Sequence, residues 1–234
     1  MNPNDPNVVM LEIVASRLGD ALRHELVFVG GAVAGLLITD PALPATRPTE
    51  DDDLIVQVLA HADYYKVEQA LMAQGFAQDL RQEAPICRWR VDAVTVDVMP
   101  TLVTVLGFAN RWYPYALQSA EVIVLPSGTS IRLISAPMFL ATKLEAFAGR
   151  GNEDYLFSHD LGDLLALIDG RDALIAECLG SPAELKIYLR DKLGALLAIP
   201  AFMQALPGHL PGDTASQERM PDLVEKLRQL SGLI

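Results

Sequence analysis

An α+β domain followed by a helical one is the fold the sequence predicts, on three observations. Up to about residue 135, short apolar runs with period-two alternation are interleaved with helical stretches. Beyond Ser135 only helical spacing remains. Over 234 residues, 51% are hydrophobic and 21% charged, enough to bury a substantial core without disulfide staples. The expected domains are 1–135 and 136–234.

The elements follow in order. Residues 6 to 24 place Val9, Leu11, Val14, Leu18 and Leu22 at near-helical spacing, and a short buried strand, Leu26 to Val29, comes next. Gly30-Gly31 breaks that strand, Ala32 to Leu37 forms a small helix, and Pro41, Pro44 and Pro48 mark a loop leading into a strand over Asp53 to Val58. Asp63 caps a helix running to about Gln74, with Gly75 as its stop. A hairpin pairs Ile86 to Val91 with Val94 to Met99 across Asp92-Ala93, which puts Asp97 on the face opposite Val94, Val96 and Val98. Glu121 to Leu125 and Thr129 to Ile134 bracket the turn Pro126-Ser127-Gly128. The helical half holds Pro137 to Ala148, a helix capped by Ser158 and ending at Gly170, a helix opened by the capping box Ser181-Pro182-Ala183-Glu184, and a last helix over about 215–230, capped by Asp213 or Thr214.

Composition narrows the function. A net charge of −12 argues against a broadly basic nucleic-acid surface, although Arg81, Arg88, Arg90, Arg111 and Arg132 concentrate positive charge in the middle of the chain. Cys87 and Cys178 lack zinc-like spacing and read as buried free thiols. The first residues carry no basic region of a signal peptide, and the uncharged run Leu26 to Thr39 falls short of the roughly 20 residues that span a bilayer, so a cytoplasmic protein with no membrane partner is expected.

The chemistry concentrates at Arg47-Pro48-Thr49-Glu50-Asp51-Asp52-Asp53-Leu54. In an extended segment Asp51 and Asp53 share one side, roughly 6–7 Å apart at Cα, while Asp52 points away as a solvated or capping carboxylate. Like charges this close repel, and Mg²⁺ relieves the repulsion using carboxylates together with waters and substrate phosphates. Gly30-Gly31, between a strand and a helix, lets backbone N–H groups approach phosphate oxygens, with the helix N-terminus adding favourable partial charge. Neither a Walker loop nor a dinucleotide fingerprint occurs. Arg47 is placed to touch a triphosphate or to pair with Glu50 or Asp52, and Thr49 to support the loop. Trp112, Tyr113 and Tyr115 beside Arg111 fit either a packed loop or base stacking.

Taken as an ordered set, Gly30-Gly31, the R-x-T-x-D-x-D-L element at 47–54 and Val96-Asp97-Val98 resemble the nucleotidyltransferase superfamily that shares the DNA polymerase β catalytic fold. The resemblance covers about residues 25 to 135. It implies a mixed sheet, two Mg²⁺ ions held by Asp51, Asp53 and Asp97 when a nucleoside triphosphate is bound, and Asp97 as base or orienter of the attacking hydroxyl. In the helical half, Lys143-Leu144-x-Ala146-Phe147-x-x-Arg150 and Ser158-His159-Asp160-Leu161-x-Asp163-Leu164 look like the AbiEii/AbiGii toxin-type branch. That likeness implies a helical domain closing the nucleotide cleft, Lys143 as a triphosphate contact, Asp160 as a further catalytic carboxylate, the tRNA 3′ end as a candidate acceptor, and a candidate antitoxin partner. Lys143 and Arg150 against Asp160 and Asp163 also fit plain interhelical salt bridges. His159 stands where the branch usually has a basic residue. The implied reaction moves a nucleoside monophosphate from NTP to a hydroxyl. The alternatives are nucleotidylation of a small molecule or protein, and nucleotide binding without turnover.

Overall fold

A computed structural model describes residues 1–233 as two compact units, one formed by 1–35 and 47–135, the other by 36–46 and 136 onward. The first unit is α+β. Helix α1 (Pro6–Glu25) starts with Asp5 accepting the Asn7 N–H at 2.8 Å and is kinked at Gly19, whose φ of 68° leaves helical geometry. Strand β1 (Val27–Val29), one 3₁₀ turn at Gly31–Val33 and the four-residue α2 (Ala34–Leu37) follow. Next come β2 (Asp51–Val56), α3 (His61–Ala73), β3 (Ala77–Gln78), β4 (Arg88–Val91), β5 (Val94–Pro100), α4 (Val103–Leu106), α5 (Tyr113–Gln118), β6 (Glu121–Val124) and β7 (Ser130–Leu133).

The seven strands form one mixed sheet in the order β3-β4-β5-β2-β1-β7-β6, with β2/β5 and β1/β7 parallel and the other pairs antiparallel. The register explains the face that matters. Asp53 pairs with Asp97 and with Val29, and Asp97 pairs with Arg88, so these side chains share one face. Phe28, Leu54, Val98 and Leu133 share the other, as do Val96 and Trp89, and all six are buried. Helix α1 packs against β2, β5 and β7.

Asp52 corrects an expectation. Its alternation away from Asp51 and Asp53 holds, but the face it reaches is core, so the carboxyl is fully buried in register with Val96 rather than solvated, and neither oxygen completes a hydrogen bond. Burial, reinforced by repulsion from Asp53 and Asp51, holds its pKa well above the ordinary carboxylate range. Asp52→Val, which suits a strand and a core, is expected to raise stability by about 1–3 kcal/mol at neutral pH. An acid whose folded pKa is raised contributes stability below about pH 4 and loses it as pH rises towards the folded value, so the variant should also flatten that slope. Urea unfolding at several pH values checks both; a destabilised variant would show that the carboxyl is held.

The second unit contains helices and, among its described residues, no strand: α6 (Ala136–Arg150), α7 (His159–Gly170), α8 (Leu174–Leu179), α9 (Ala183–Leu197), α10 (Pro200–Ala205), a 3₁₀ turn at Leu206–His209, α11 (Thr214–Glu218) and α12 (Met220–Leu230). Helices α6 and α7 pack together, and α12 packs on α7, α8 and α9, burying Leu140, Leu164, Leu193, Phe202, Leu223 and Leu227. Residues 36–46, which the sequence leaves with the first half, dock here. The N–H groups of Thr39 and Asp40 both donate to the Gly170 carbonyl, at 2.9 and 3.0 Å.

Several local expectations shift. Ala60, not Asp63, takes the N-cap of α3, while Asp63 one turn inside accepts the Ala60 N–H at 3.1 Å. The capping box at Ser181 does not form: Pro182 holds the cap position and the Ser181 hydroxyl donates to the Glu177 carbonyl. Ser158 does cap α7, and Asp213 caps α11. The last helix is two, α11 and α12, meeting at Arg219. Among the described residues, no helix is long and apolar enough to cross a membrane.

Candidate functional site

The polar patch of the first unit lies where β2 begins. Its foundation is a loop anchored from outside the motif: Asn7, buried in the first turn of α1, donates from Nδ2 to the Arg47 carbonyl at 3.0 Å and accepts the Thr49 N–H at 2.9 Å. The Thr49 hydroxyl donates onward to the Asp51 carbonyl at 3.1 Å. Thr49 is thus a structural support, as its sequence position suggests. Asn7 was missed because nothing in a helix's first turn signals a partner forty residues away.

Gly30 has two reasons to be glycine. Its φ is +75°, and a Cβ there would lie 1.9 Å from the Asp53 carboxylate oxygen Oδ2 and 2.6 Å from Asp53 Cβ and Cγ. The bare Cα makes the cradle in which the Asp53 carboxylate sits. Gly31 opens only a single 3₁₀ turn followed by four α-helical residues, too short for the aligned peptide dipoles of a long helix, so the expected charge from a helix N-terminus is small here. Gly30→Ala is expected to cost about 2 kcal/mol or more and to displace Asp53. Urea unfolding measures the first, and an unchanged midpoint would mean that the strand end relaxes around the methyl.

Asp51, Asp53 and Asp97 are brought to one face, with Asp53 and Asp97 directly paired across parallel strands. Burial pushes the Asp51 pKa up, repulsion from Asp97 adds to it, and Arg88 partly counters both. Arg88 is the residue the sequence reading left in a general basic stretch. From β4 its Nε donates to Asp97 Oδ1 at 2.8 Å and its Nη2 to Asp97 Oδ2 at 2.7 Å and Asp51 Oδ2 at 3.0 Å. These contacts, led by the hydrogen bonds to Asp97, raise the guanidinium pKa further. The signal was available: a two-residue turn at Asp92-Ala93 fixes the hairpin register, which sets Arg88 opposite Asp97.

Three of the other arginines have contacts of their own. Arg81 is paired with Asp79, whose pKa falls to about 2, Arg132 donates to the carbonyls of His24, Glu25 and Leu117, and Arg111 lies over the Trp112 ring at 4.8 Å. Trp112 is buried and packs against Tyr115, and the Tyr113 hydroxyl donates to Met99 Sδ, so the segment is packed as expected but as the start of α5, with Trp112 at its N-cap, rather than as a loop.

In the second unit, Lys143, Asp160, Asp163 and Arg150 do meet. Lys143 Nζ lies 2.7 Å from Asp163 Oδ2 and 3.3 Å from Asp160 Oδ1, while Arg150 forks onto both oxygens of Asp160 at 2.9 Å. Lys143 is 7% exposed. The interhelical salt bridge left open by the sequence is therefore formed, and a phosphate contact from Lys143 would require breaking it. His209, which closes the 3₁₀ turn at Leu206–His209, is within 2.7 Å of the Tyr155 carbonyl.

No protein-family model matches the chain, and no curated protein matches it. The donor set of the first unit, three carboxylates and no sulfur or imidazole, suits a hard divalent cation such as Mg²⁺. Among the described residues, no three His, Cys, Asp or Glu side chains converge as a ready metal cage.

Proposed function

We propose that the chain is a Mg²⁺-dependent nucleotidyltransferase with a polymerase-β-like first domain, transferring a nucleoside monophosphate from an NTP to an acceptor hydroxyl. The observation that carries this reading is the pairing of Asp53 with Asp97 beside Asp51 on one sheet face, with the Asp53 carboxylate seated against the bare Cα of Gly30. A sheet needs no such cluster for stability, since burial and mutual repulsion both act against the charged form of Asp51.

In this reading Asp51, Asp53 and Asp97 hold the metal, which when bound neutralises charge on the transferring phosphate. Asp97 accepts or orients the proton of the attacking hydroxyl. The Asn7–Thr49 anchor fixes the segment that presents Arg47 and Asp51, so the ligands are positioned before substrate arrives. The cost of phosphate charge is met by side chains already in place.

A second reading concerns the acceptor. The tRNA 3′ end, with toxin-like action and an antitoxin partner, follows from the resemblance of the second half. The net charge of −12 favours instead a small molecule or a protein as acceptor. Incubation with Mg²⁺, each α-³²P-labelled NTP, and total tRNA present or absent separates these outcomes. Label on tRNA establishes RNA as acceptor, label without RNA a protein or small molecule, and no label in any product overturns transferase activity.

A further inference from the structure

Arg88 is held by more contacts to the carboxylate cluster than a strand-pairing ion pair requires. Its register partner on β5 is Asp97, and one bidentate fork would satisfy that pair. Instead the guanidinium also reaches along the sheet face to Asp51 on β2, two strands away, so a single cation bridges two carboxylates assigned to the metal. The side chain keeps 25% of its surface exposed, against 12% for Asp97 and 37% for Asp51, which leaves it open to a ligand from solvent.

We propose that Arg88 is an internal counter-cation that competes with the divalent ion for Asp51 and Asp97 and is drawn off them by the polyphosphate of the substrate. This rests on the nucleotidyltransferase reading and deepens it by making metal binding conditional on a phosphate-bearing ligand. Three observations support it. Both oxygens of Asp97 and one of Asp51 are engaged by the guanidinium, so a divalent ion on those carboxylates meets a fixed positive charge at contact range. The fork that fits a carboxylate also fits a phosphate, and a triphosphate offers several such edges where Asp97 offers one. The hairpin around the two-residue turn holds the Arg88 backbone opposite Asp97, so the side chain can exchange partners by rotation alone while the strands stay paired.

The consequence is an order of events. Without substrate, Arg88 screens the acidic cluster and keeps its carboxylates in register. Phosphate oxygens then take the guanidinium, and the vacated carboxylate oxygens become available to the cation that arrives with the nucleotide. Arg88 is a positioning residue for the metal and a direct contact for the phosphates.

The test uses the full chain and two probes. Free Mn²⁺ is followed by electron paramagnetic resonance in the absence of nucleotide, and inorganic tripolyphosphate binding is measured by calorimetry in EDTA. Arg88→Gln is expected to bind Mn²⁺ at least tenfold more tightly than the wild type and tripolyphosphate at least tenfold more weakly. Arg88→Lys, which keeps the charge without the fork, should fall between them for Mn²⁺ and carries the test if the Gln variant does not fold. Equal or weaker Mn²⁺ binding by both variants overturns the proposal. Failure of the wider reading looks different: in the Arg88→Gln background, Mn²⁺ binding that is the same with Asp51 and Asp53 intact or both replaced by alanine removes the metal site itself.

Discussion

Replacing Asp51 and Asp53 together with alanine is expected to lower the proposed metal-dependent turnover by at least about 100- to 1,000-fold, the scale seen when one preorganised electrostatic stabiliser is lost, and to leave the fold intact. The two halves of that expectation have separate physical origins. Turnover falls, on the proposed nucleotidyltransferase reading, because these carboxylates with Asp97 would be the charge that positions a cation against phosphate. Stability is retained because neither side chain is part of the core: the buried residues of β2 are Asp52, Leu54, Ile55 and Val56. Asp51 is in fact held against burial and the nearby Asp97, so its removal relieves an unfavourable contact, while Arg88 keeps both hydrogen bonds to Asp97. Labelled-product formation and a thermal melt on the same preparation are the paired measurements. An unaltered rate refutes the metal assignment, and a collapsed melt would make the pair structural.

Period-two alternation was enough to read which carboxylates share a face, because the side-chain period of a strand is fixed by its geometry. That is why Asp51 and Asp53 share a face and why the hairpin at Asp92-Ala93 appears where the turn residues put it, whereas Asp97 joins that face through the parallel β2–β5 register, which alternation does not supply. Alternation does not say which face is wet. Asp52 looked solvated because it is charged, and only the packing of the unit makes its face a core. Long-range anchors were equally invisible: Asn7 to Arg47 and Thr49, and residues 36–46 to Gly170, join segments whose spacing in sequence carries no period. The short helices α4, α8 and α10 escaped for a related reason, since four to six residues are too few to display a 3.6-residue repeat. Capping failed at Ser181 because a motif specifies hydrogen-bonding capacity, and its hydroxyl found the Glu177 carbonyl first.

Lys143→Met is expected to destabilise the second unit by about 3–5 kcal/mol, and Lys143→Met with Asp163→Leu to recover most of that loss. The side chains of Lys143, Asp160 and Asp163 are 8%, 7% and 4% exposed, so removing the ammonium takes away the cation 2.7 Å from a carboxylate that has little access to water. The double variant removes the charge that the single one strands, and buried pairs are commonly replaceable by apolar residues of similar size. Asp160 keeps Arg150 throughout. Burial alone would raise the Asp160 pKa, but the Arg150 hydrogen bonds and the Lys143 charge outweigh it and hold the group below its ordinary value. A depressed carboxylate contributes stability above about pH 4 and loses it as pH falls through the folded value, so Lys143→Met should weaken the acid-side loss as well as lower the plateau. Chemical unfolding of both variants from pH 3 to 7 reads these effects, and triphosphate binding on the same samples decides between the two roles the sequence leaves open. A folding loss repaired by Asp163→Leu makes Lys143 a tie between α6 and α7, whereas unchanged stability with lost triphosphate binding makes it a ligand contact that the salt bridge holds in reserve.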